Sequence, residues 1–252
     1  MTTILELNDV SLTYHTVKSQ TVAVEKLSFS VFEGEFVSII GPSGCGKTTV
    51  LSLIAGLIKP SSGQVLFRGK PVKKAQNGLG YMLQKDHLFP WRTIEKNVFL
   101  PLEIKKTDTP EYREYARQLL KKYGLSEFVH RYPDQLSGGM RQRAALIRTL
   151  AAKPDLLLLD EPFSALDYQT RLSVCDDVSH ILSSEKKTAI LVTHDISEAI
   201  SLSDRIIVLT ERPARVKNVH TLNLRELGSP LKRREHPDFS HWFETLWREL
   251  NK

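Results

Sequence analysis

The stretch that decides the fold of this chain is Gly41-Pro42-Ser43-Gly44-Cys45-Gly46-Lys47-Thr48. It fits the pattern of a glycine, four residues and then Gly-Lys-Ser/Thr that forms a phosphate-binding loop. The apolar run Phe36-Val37-Ser38-Ile39-Ile40 precedes the loop and is typical of a buried strand. A helical pattern from Thr49 to Ala55 follows the loop and ends at Gly56. Because a strand and a helix flank it, the loop predicts a nucleoside triphosphate site rather than a chance glycine-rich turn that carries a lysine.

Each residue type in this loop has a chemical reason. Glycines let the backbone turn tightly, so that successive N–H groups face phosphate oxygens. The helix N-terminus adds the positive end of its dipole. In such a loop Lys47 reaches the β- and γ-phosphates, and the hydroxyl group of Thr48 is a ligand of Mg²⁺. Cys45 occupies a variable position and is interpreted as a spacer.

The bulk composition is that of an ordinary globular protein. The 252 residues are 41% hydrophobic and 25% charged. No run approaches the roughly 18 consecutive apolar residues of a membrane span, and the N-terminus does not resemble a signal peptide. Cys45 and Cys175 make neither a disulfide framework nor a metal site by themselves. These features predict a cytoplasmic protein.

The net charge of +6 is compatible with nucleic acid, an anionic membrane surface or simple solubility. Basic residues are scattered along the chain except at Lys232-Arg233-Arg234. We interpret this cluster as a solvated face, and the sequence therefore predicts no nucleic-acid partner.

The order of patterns along the chain predicts an α/β fold with two additions. Residues 4–35 alternate apolar and polar side chains, which is typical of antiparallel strands with one buried face. Strand and helix patterns alternate after that, but the segment from Thr93 to about Leu150 is helical and interrupts them. We therefore expect a helical subdomain inserted into the α/β core. The last apolar segment, Phe239 to Trp247, has helical spacing and is expected to pack back onto the domain.

An acidic pair follows a strand that is apolar throughout. Leu156 to Leu159 form this strand, and Asp160 and Glu161 follow at its carboxyl end, where open α/β sheets bind ligands. One carboxylate there can hold Mg²⁺ while its neighbour orients an attacking water. The alternative is a solvated acidic pair that begins a turn.

Two further side chains have both a functional and a structural interpretation. His194 follows another apolar strand, and it is either a hydrogen-bond donor to a γ-phosphate or a structural histidine. Tyr14 is either an aromatic platform for adenine or a core residue, and its pattern alone favours the core.

A second helix N-terminus carries glycines. The segment Leu136-Ser137-Gly138-Gly139-Met140-Arg141-Gln142-Arg143 leads into a helix, and the helix dipole attracts anions there. This signal is weak alone, but one chain then carries two helix termini that favour phosphate.

Together these segments resemble the ATP-binding subunit of an ABC transporter over nearly the whole chain. Gly41–Thr48 is similar to the Walker A motif, Leu156–Asp160 to the Walker B motif, and Leu136–Gln142 to the LSGGxxQ signature. Further matches are Glu161 (catalytic glutamate), Gln84 (Q-loop), Ser164–Asp167 (D-loop), His194 (switch histidine) and Tyr14 (adenine-stacking aromatic).

The resemblance implies a fold, a cofactor pair and a set of site residues. The fold is a P-loop NTPase (RecA-like) core with an N-terminal antiparallel β-subdomain and an inserted α-helical subdomain. The core and the β-subdomain together comprise 1–84 and 153–215, the helical subdomain comprises 85–152, and the tail comprises 216–252. The implied ligands are ATP and Mg²⁺, with Glu161 and His194 catalytic. The residues implied to bind the nucleotide are Tyr14, Gly41, Pro42, Ser43, Gly44, Cys45, Gly46, Lys47, Thr48, Thr49, Gln84, Ser137, Gly138, Gly139 and Asp167; those implied to hold the metal are Thr48, Gln84 and Asp160.

The resemblance also implies partners. Two copies pair head-to-tail so that Lys47 of one copy and Ser137–Gly139 of the other hold the same ATP. The dimer drives a transmembrane permease from the cytoplasmic face of the membrane, as a peripheral subunit, and an extracytoplasmic solute-binding protein delivers the solute. Leu88-Phe89-Pro90-Trp91, Glu211-Arg212-Pro213 and the short tail are similar to importers of nitrate, sulfonates, taurine or thiamine-precursor pyrimidines.

Leu88 to Trp91 are interpreted as an exposed loop that contacts the permease; the alternative is that they pack against the helical subdomain.

Two other functional classes are alternatives to a transporter subunit. One is a non-transport ABC ATPase such as an iron–sulfur assembly factor. The other is a P-loop kinase, which leaves the LSGG signature and His194 unexplained.

Overall fold

The computed structural model describes residues 2–15, 19–224 and 227–251. The strands are β1 (Thr3–His15), β2 (Gln20–Phe32), β3 (Phe36–Ile40), β4 (Ser62–Phe67), β5 (Lys70–Pro71), β6 (Leu79–Met82), β7 (Leu156–Asp160), β8 (Thr188–Val192), β9 (Arg205–Leu209) and β10 (Val216–Thr221). The helices are α1 (Lys47–Ile54), α2 (Ile94–Lys105), α3 (Pro110–Lys122), α4 (Gly138–Ala151), α5 (Tyr168–Ser184), α6 (Ile196–Leu202), α7 (Pro230–Arg234) and α8 (Pro237–Leu250).

The chain divides into two compact units. The first unit comprises Met1–Gln76 with Thr188–Lys252, and the second comprises Asn77–Lys187. The second unit contains the helices α2, α3 and α4, but it also contains β6, β7 and α5. The narrower subdomain boundaries at residues 84, 152 and 215 stay a prediction.

An antiparallel sheet forms the first part of the first unit. Its strand order is β2-β1-β4-β5. Leu5 and Leu7 of β1 are buried while Glu6 between them is partly exposed, which is the alternation that a strand with one buried face requires. Leu7 lies opposite Phe29 on β2 and Val65 on β4, so the apolar face continues across the sheet. The predicted antiparallel β-subdomain is confirmed.

The rest of the first unit is built around a parallel arrangement. β3 pairs in parallel with β8 on one side and β9 on the other, and β10 continues the order antiparallel to β9. Every residue of β3 and of β8 is buried. These runs lack alternation because both faces of a parallel sheet are covered.

The second unit combines a parallel strand pair with helices. β6 pairs in parallel with β7, and Gly80 lies opposite Leu157. A Cβ atom on Gly80 would lie 2.7 Å from Cγ2 of Thr149, so glycine at this position lets α4 approach β6 closely. Side chains cap the N-termini of the helices of this unit; at α2, Thr93 accepts from the N–H of Lys96.

The C-terminal tail packs on the first unit, as the sequence predicts. Leu246 of α8 is fully buried in a cluster with residues of α6 and β9, and Phe239, Trp242 and Phe243 pack against the same cluster. The interpretation of Lys232–Arg234 as a solvated face is wrong for Arg233. This residue is 5% exposed and donates to the carbonyl groups of Gly228 and Ser201. One face of the short helix α7 points inward, and the guanidinium group there satisfies buried carbonyl oxygens.

In the part of the chain that the structure describes, every helix is too short or too polar to cross a membrane.

The turn into β4 gives a test of the antiparallel sheet. Gly63 has a φ of +77°, and an added Cβ atom would lie 2.3 Å from the carbonyl oxygen of Asp9. We expect Gly63→Ala to lower the free energy of unfolding by about 2–5 kcal/mol, because left-handed strain and a backbone clash add. Gly69→Ala is the matched control. Gly69 has a φ of +71° with nothing within 4 Å of an added Cβ atom, so strain alone should cost about 1–2 kcal/mol. Urea unfolding measures both, and equal losses would contradict the clash.

Candidate functional site

The phosphate-binding loop closes around its own lysine. Lys47 is 7% exposed, and its Nζ atom donates to the carbonyl oxygen of Gly41 at 2.8 Å and to that of Pro42 at 3.0 Å. The backbone N–H of Cys45 donates to the same Pro42 oxygen at 3.2 Å. The ammonium group is therefore held inside the loop by neutral carbonyl groups, which leaves its charge available to an anion.

The glycines of the loop adopt conformations that other residues disfavour. Gly44 has a φ of +72° and Gly46 a φ of +120°. A Cβ atom on Gly41 would lie 2.9 Å from Sγ of Cys45 and 3.1 Å from Cβ of Leu209. The pattern of glycines in the sequence therefore reports real backbone requirements, and the predicted loop has the geometry that its pattern demands.

Helix α1 presents an open N-terminus directly after the loop. Its N-cap residue is Gly46, and among the described residues no side chain caps it. A helix N-terminus of this kind binds phosphate through backbone N–H groups and the helix dipole. Burial raises the pKa of the Cys45 thiol, which keeps the thiol protonated and neutral beside Lys47. This fits the interpretation of Cys45 as a spacer.

His194 lies in an exposed position directly after β8, in the first unit. The residue before it, Thr193, is buried and donates its hydroxyl group to the Glu198 carboxylate at 2.5 Å. Asp195 caps α6 by accepting from the N–H groups of Ser197 and Glu198. These contacts fix the backbone on both sides of His194 and leave its ring outside the core. The sequence analysis did not identify Glu198 as a support for this segment. The feature that could have indicated it is a carboxylate among the apolar residues of α6.

Tyr14 is 41% exposed near the end of β1, so it is not a core residue. The interpretation that its pattern alone favoured was wrong, because the strand extends beyond the buried part of the sheet. An aromatic ring exposed at this place remains available as an adenine platform.

In the second unit, the acidic pair divides into a buried and an accessible carboxylate. Asp160 is 5% exposed, and its Oδ2 atom accepts from the hydroxyl group of Tyr81 at 3.2 Å. Glu161 follows in the left-handed region with a φ of 44°. Such a conformation costs free energy in a non-glycine residue and is typical of functional sites. The alternative of a solvated acidic pair is not supported for Asp160.

Gln84 and Glu161 lie together. Nε2 of Gln84 is 3.4 Å from Oε2 of Glu161 and 3.2 Å from Oγ of Ser164. The Ser164 hydroxyl group donates to the carbonyl oxygen of Glu161 at 3.0 Å. The structure thus brings together three residues that the sequence assigns to separate motifs. Tyr81 and Ser164 support this arrangement, and no sequence pattern had assigned a role to Tyr81.

The glycine-rich segment before α4 forms a capped helix start. Oγ of Ser137 accepts from the N–H of Met140 at 3.3 Å. A Cβ atom on Gly139 would lie 3.1 Å from methyl groups of Thr170 and Val174 on α5, so only a small residue fits there. Gln142 is 4% exposed and donates to the carbonyl oxygen of Pro162 at 2.5 Å, which ties this helix to the segment after Glu161.

Asp167 caps α5 by accepting from the N–H of Thr170 at 3.0 Å. The hydrogen bonds from Thr170 hold the pKa of the Asp167 carboxyl group below its ordinary value.

The segment after Gln84 is only partly exposed. Leu88 is 7% exposed, so the interpretation of an exposed loop is wrong for this residue, which packs inward. Trp91 is 71% exposed and stacks on Phe89 with 4.9 Å between ring centroids. The side chains of Asn97 and Phe99, both on α2, are buried. Oδ1 of Asn97 accepts from the N–H of Phe89, and Nδ2 of Asn97 donates to the carbonyl oxygen of Phe89.

A groove beside Trp91, of about 450 Å³, is lined by charged residues of α2 and α3 and by Phe99. Its ion pairs are Arg92–Glu103 and Arg117–Glu95, each at 2.8 Å. Trp91 is among the residues that line this groove, and its indole is exposed.

This chain is similar to known proteins over most of its length. Residues 24–164 match the family described as ABC transporter. The chain is 50% identical over 249 residues to the uncharacterized ABC transporter ATP-binding protein YtlC of Bacillus subtilis, which covers 98% of this chain and 95% of the relative.

Two of the relatives are named as import proteins for a stated solute. The formylaminopyrimidine import ATP-binding protein ThiZ of Halalkalibacterium halodurans is 44% identical, over 83% of this chain and 81% of the relative. The nitrate import ATP-binding protein NrtD of Synechococcus elongatus is 38% identical, over 83% of this chain and 77% of the relative.

A solved structure has the same fold. It is the dimeric post-hydrolysis state of the ATP-binding cassette MJ0796 bound to ADP and Pi, with a TM-score of 0.75 and 33% identity, over 87% of this chain and 99% of that chain. The fold, the loop geometry and these matches agree: this chain belongs to the ABC transporter family, as an ATP-binding protein that hydrolyses ATP.

Proposed function

We propose that this protein is the ATPase subunit of a membrane importer, and that two copies share two ATP molecules and couple their hydrolysis to uptake of a small solute. The carrying observation is that one chain presents both a phosphate-binding loop closed around Lys47 and a capped, glycine-lined helix start at Ser137. Each copy of the chain can therefore contribute one anion-binding helix start to each of two nucleotide sites that the copies share.

Thr48, Gln84 and Asp160 are the residues that would hold Mg²⁺. Their oxygens are the hard ligands that Mg²⁺ prefers, and the buried Asp160 carboxylate, oriented by Tyr81, fits this role. When bound, Mg²⁺ neutralises charge on the phosphates.

Lys47 and the N–H groups at the start of α1 bind and orient the phosphate groups of ATP. Ser43, Thr49 and the loop glycines contribute backbone or hydroxyl groups to the same task. Tyr14 stacks on the adenine ring. These assignments are supported by the burial of Lys47 and by the exposure of Tyr14.

Glu161 orients the attacking water, and Gln84 and His194 assist around the γ-phosphate. The contact from Gln84 to Glu161 supports this, because it places an amide donor against the carboxylate that must point at the water. Ser164 holds the backbone of Glu161 in its left-handed conformation. The ring of His194 is exposed between Thr193 and Asp195, which bond to each other, and it can donate to a phosphate oxygen.

A head-to-tail dimer follows from the two helix starts. In an isologous pair, Ser137, Gly138 and Gly139 of one copy face the ATP held by Lys47 of the other, and Asp167 is assigned to the same nucleotide site. The dimeric MJ0796 structure, similar over most of this chain, supports this arrangement.

The partner in the membrane is a permease that docks on the groove beside Trp91. An exposed indole at the rim of a charged groove is typical of a protein interface. The subunit then lies at the cytoplasmic face of the membrane, and an extracytoplasmic solute-binding protein completes the system. The names of ThiZ and NrtD favour import of a pyrimidine-type solute or nitrate over an iron–sulfur assembly role. Sulfonates and taurine remain further candidate solutes.

Glu161→Gln tests the catalytic carboxylate. We expect this variant to bind ATP normally and to lose turnover by about 10²–10⁴-fold, because an amide cannot accept the proton of the attacking water. The variant keeps an oxygen that can accept from Gln84, so the local geometry should survive. Steady-state ATPase rates and calorimetric ATP binding measure the two effects. Glu127→Gln, at an exposed position, is the control, and normal turnover by Glu161→Gln would remove Glu161 from the mechanism.

The shared site predicts complementation. Lys47→Ala and Ser137→Arg should each be inactive, but a mixture of the two chains should regain hydrolysis. A mixed dimer contains one site in which both halves are unaltered, so we expect up to about half the activity per mixed dimer if the sites act independently. Rates are measured across mixing ratios, with mixed dimers quantified by differential tags. Mixed dimers without activity would contradict shared sites.

Trp91→Ala tests the docking groove. We expect the ATPase rate of the isolated subunit to stay within about twofold, whereas ATP-driven transport by the membrane complex should fall about tenfold or more, as for an interface hot spot. Leu57→Ala is the control, because Leu57 is also exposed (66%, against 71% for Trp91) but lies in the first unit. Transport is measured in vesicles that contain the co-purified permease, and normal transport by Trp91→Ala would place the docking surface elsewhere.

A further inference from the structure

An arginine to which no role in nucleotide binding has been assigned contacts the phosphate-binding loop. Arg212 lies in the turn between β9 and β10, and its Nη2 atom donates to the carbonyl oxygen of Gly44 at 2.8 Å. Both residues belong to the first unit. A hydrogen bond from a charged donor is roughly twice as strong as a neutral one.

The turn that carries Arg212 is itself firmly held. The N–H of Thr210 donates to the carbonyl oxygen of Arg215 at 3.0 Å, and the N–H of Arg215 donates to Oγ1 of Thr210 at 3.0 Å. The turn is also bonded to β2, because Ala214 donates to Ala23 at 2.9 Å and accepts from Glu25 at 3.0 Å. The backbone of Arg212 therefore has a fixed position relative to the sheet, and a guanidinium group anchored there can restrain a softer segment.

The Gly44–Cys45 peptide is such a segment. An added Cβ atom on Gly44 would have nothing within 4 Å, so packing does not restrict this glycine, and glycine has the widest backbone freedom of any residue. Hydrogen bonds restrict it instead. The carbonyl group of the peptide accepts from Arg212, and its N–H donates to the carbonyl oxygen of Pro42, which also accepts from Lys47. Rotation of this one peptide would break both bonds.

We propose that Arg212 is a positioning residue that holds the phosphate-binding loop in its binding conformation before ATP arrives. The proposal rests on the proposed role of residues 41–48 in binding the phosphates. A loop ordered in advance loses less conformational entropy when the ligand binds. Arg212 touches the loop rather than the reacting atoms, so it affects nucleotide affinity more than the chemical step.

Arg212→Gln separates these effects kinetically. We expect the KM for ATP to rise about five- to tenfold, as for loss of one hydrogen bond at a solvent-exposed position, while kcat at saturating ATP changes less than about twofold, because bound ATP then orders the loop. Arg212→Lys keeps one charged donor and should give an intermediate KM. Arg215→Gln is the matched control: Arg215 lies in the same turn but pairs with Glu25 and does not contact the loop, so its KM should be unchanged.

The chain contains its own reporter of loop order. Cys45 is 1% exposed within the loop, and a Cys175→Ser background leaves its thiol as the single target of a thiol reagent. In this background Arg212→Gln should increase the rate of Cys45 labelling without nucleotide by about fivefold or more. Arg215→Gln should not, and circular dichroism and the melting temperature should stay unchanged for all variants.

Two results would overturn the proposal. One is a KM and a labelling rate for Arg212→Gln that both stay within about twofold of the unsubstituted protein. The other is a raised KM without faster labelling, which would mean that Arg212 acts on the nucleotide itself. Failure of the proposed site is a different result: Mg²⁺-ATP would then fail to protect Cys45 from labelling in the Cys175→Ser protein, and Lys47→Ala would bind ATP normally.

Discussion

The structure depends on the burial of one ammonium group inside the loop that follows β3. Lys47 is enclosed, and its charge is met by two backbone carbonyl groups rather than by a carboxylate. A buried cation balanced only by neutral groups favours an anion strongly. The glycines at 41, 44 and 46 allow the loop to close around Lys47. At Gly41 an added Cβ atom would clash, and at Gly44 and Gly46 the backbone is in the left-handed region. The buried strand β3 and the start of α1 fix the two ends of the loop.

In the second unit, hydrogen bonds from neighbouring side chains hold the candidate functional groups. Asp160 is buried and oriented by a tyrosine hydroxyl group, whereas the next residue, Glu161, is partly exposed and has a left-handed backbone conformation. Two adjacent carboxylates thereby acquire different surroundings, which is how one protein assigns them different tasks. Gln84 and Ser164 reach Glu161 from different segments, so the position of this carboxylate depends on the packing of the unit and on more than one motif.

The sequence predicted the elements well and the surroundings of single side chains less well. The antiparallel strands, the buried strands and the inserted helices follow from hydrophobic period, because period reports which faces an element buries. Leu88, Tyr14 and Arg233 show the limit. Leu88 packs inward from a segment expected to be exposed, Tyr14 lies where β1 continues beyond the buried part of the sheet, and Arg233 donates to buried carbonyl groups. Local pattern cannot report these outcomes, since each depends on a neighbour distant in the chain.

The sequence by itself determined the family and the nucleotide chemistry, and it predicted the residues that carry this chemistry. Glycines, a lysine and acidic residues at fixed spacings suffice, because short motifs constrain their own backbone. Tertiary structure alone decided which other groups support them. The contacts of Tyr81 with Asp160, Glu198 with Thr193 and Arg212 with Gly44 join residues that no local pattern links. A hydrogen bond needs its two atoms within about 3.5 Å in a suitable direction, and only the folded chain sets that distance.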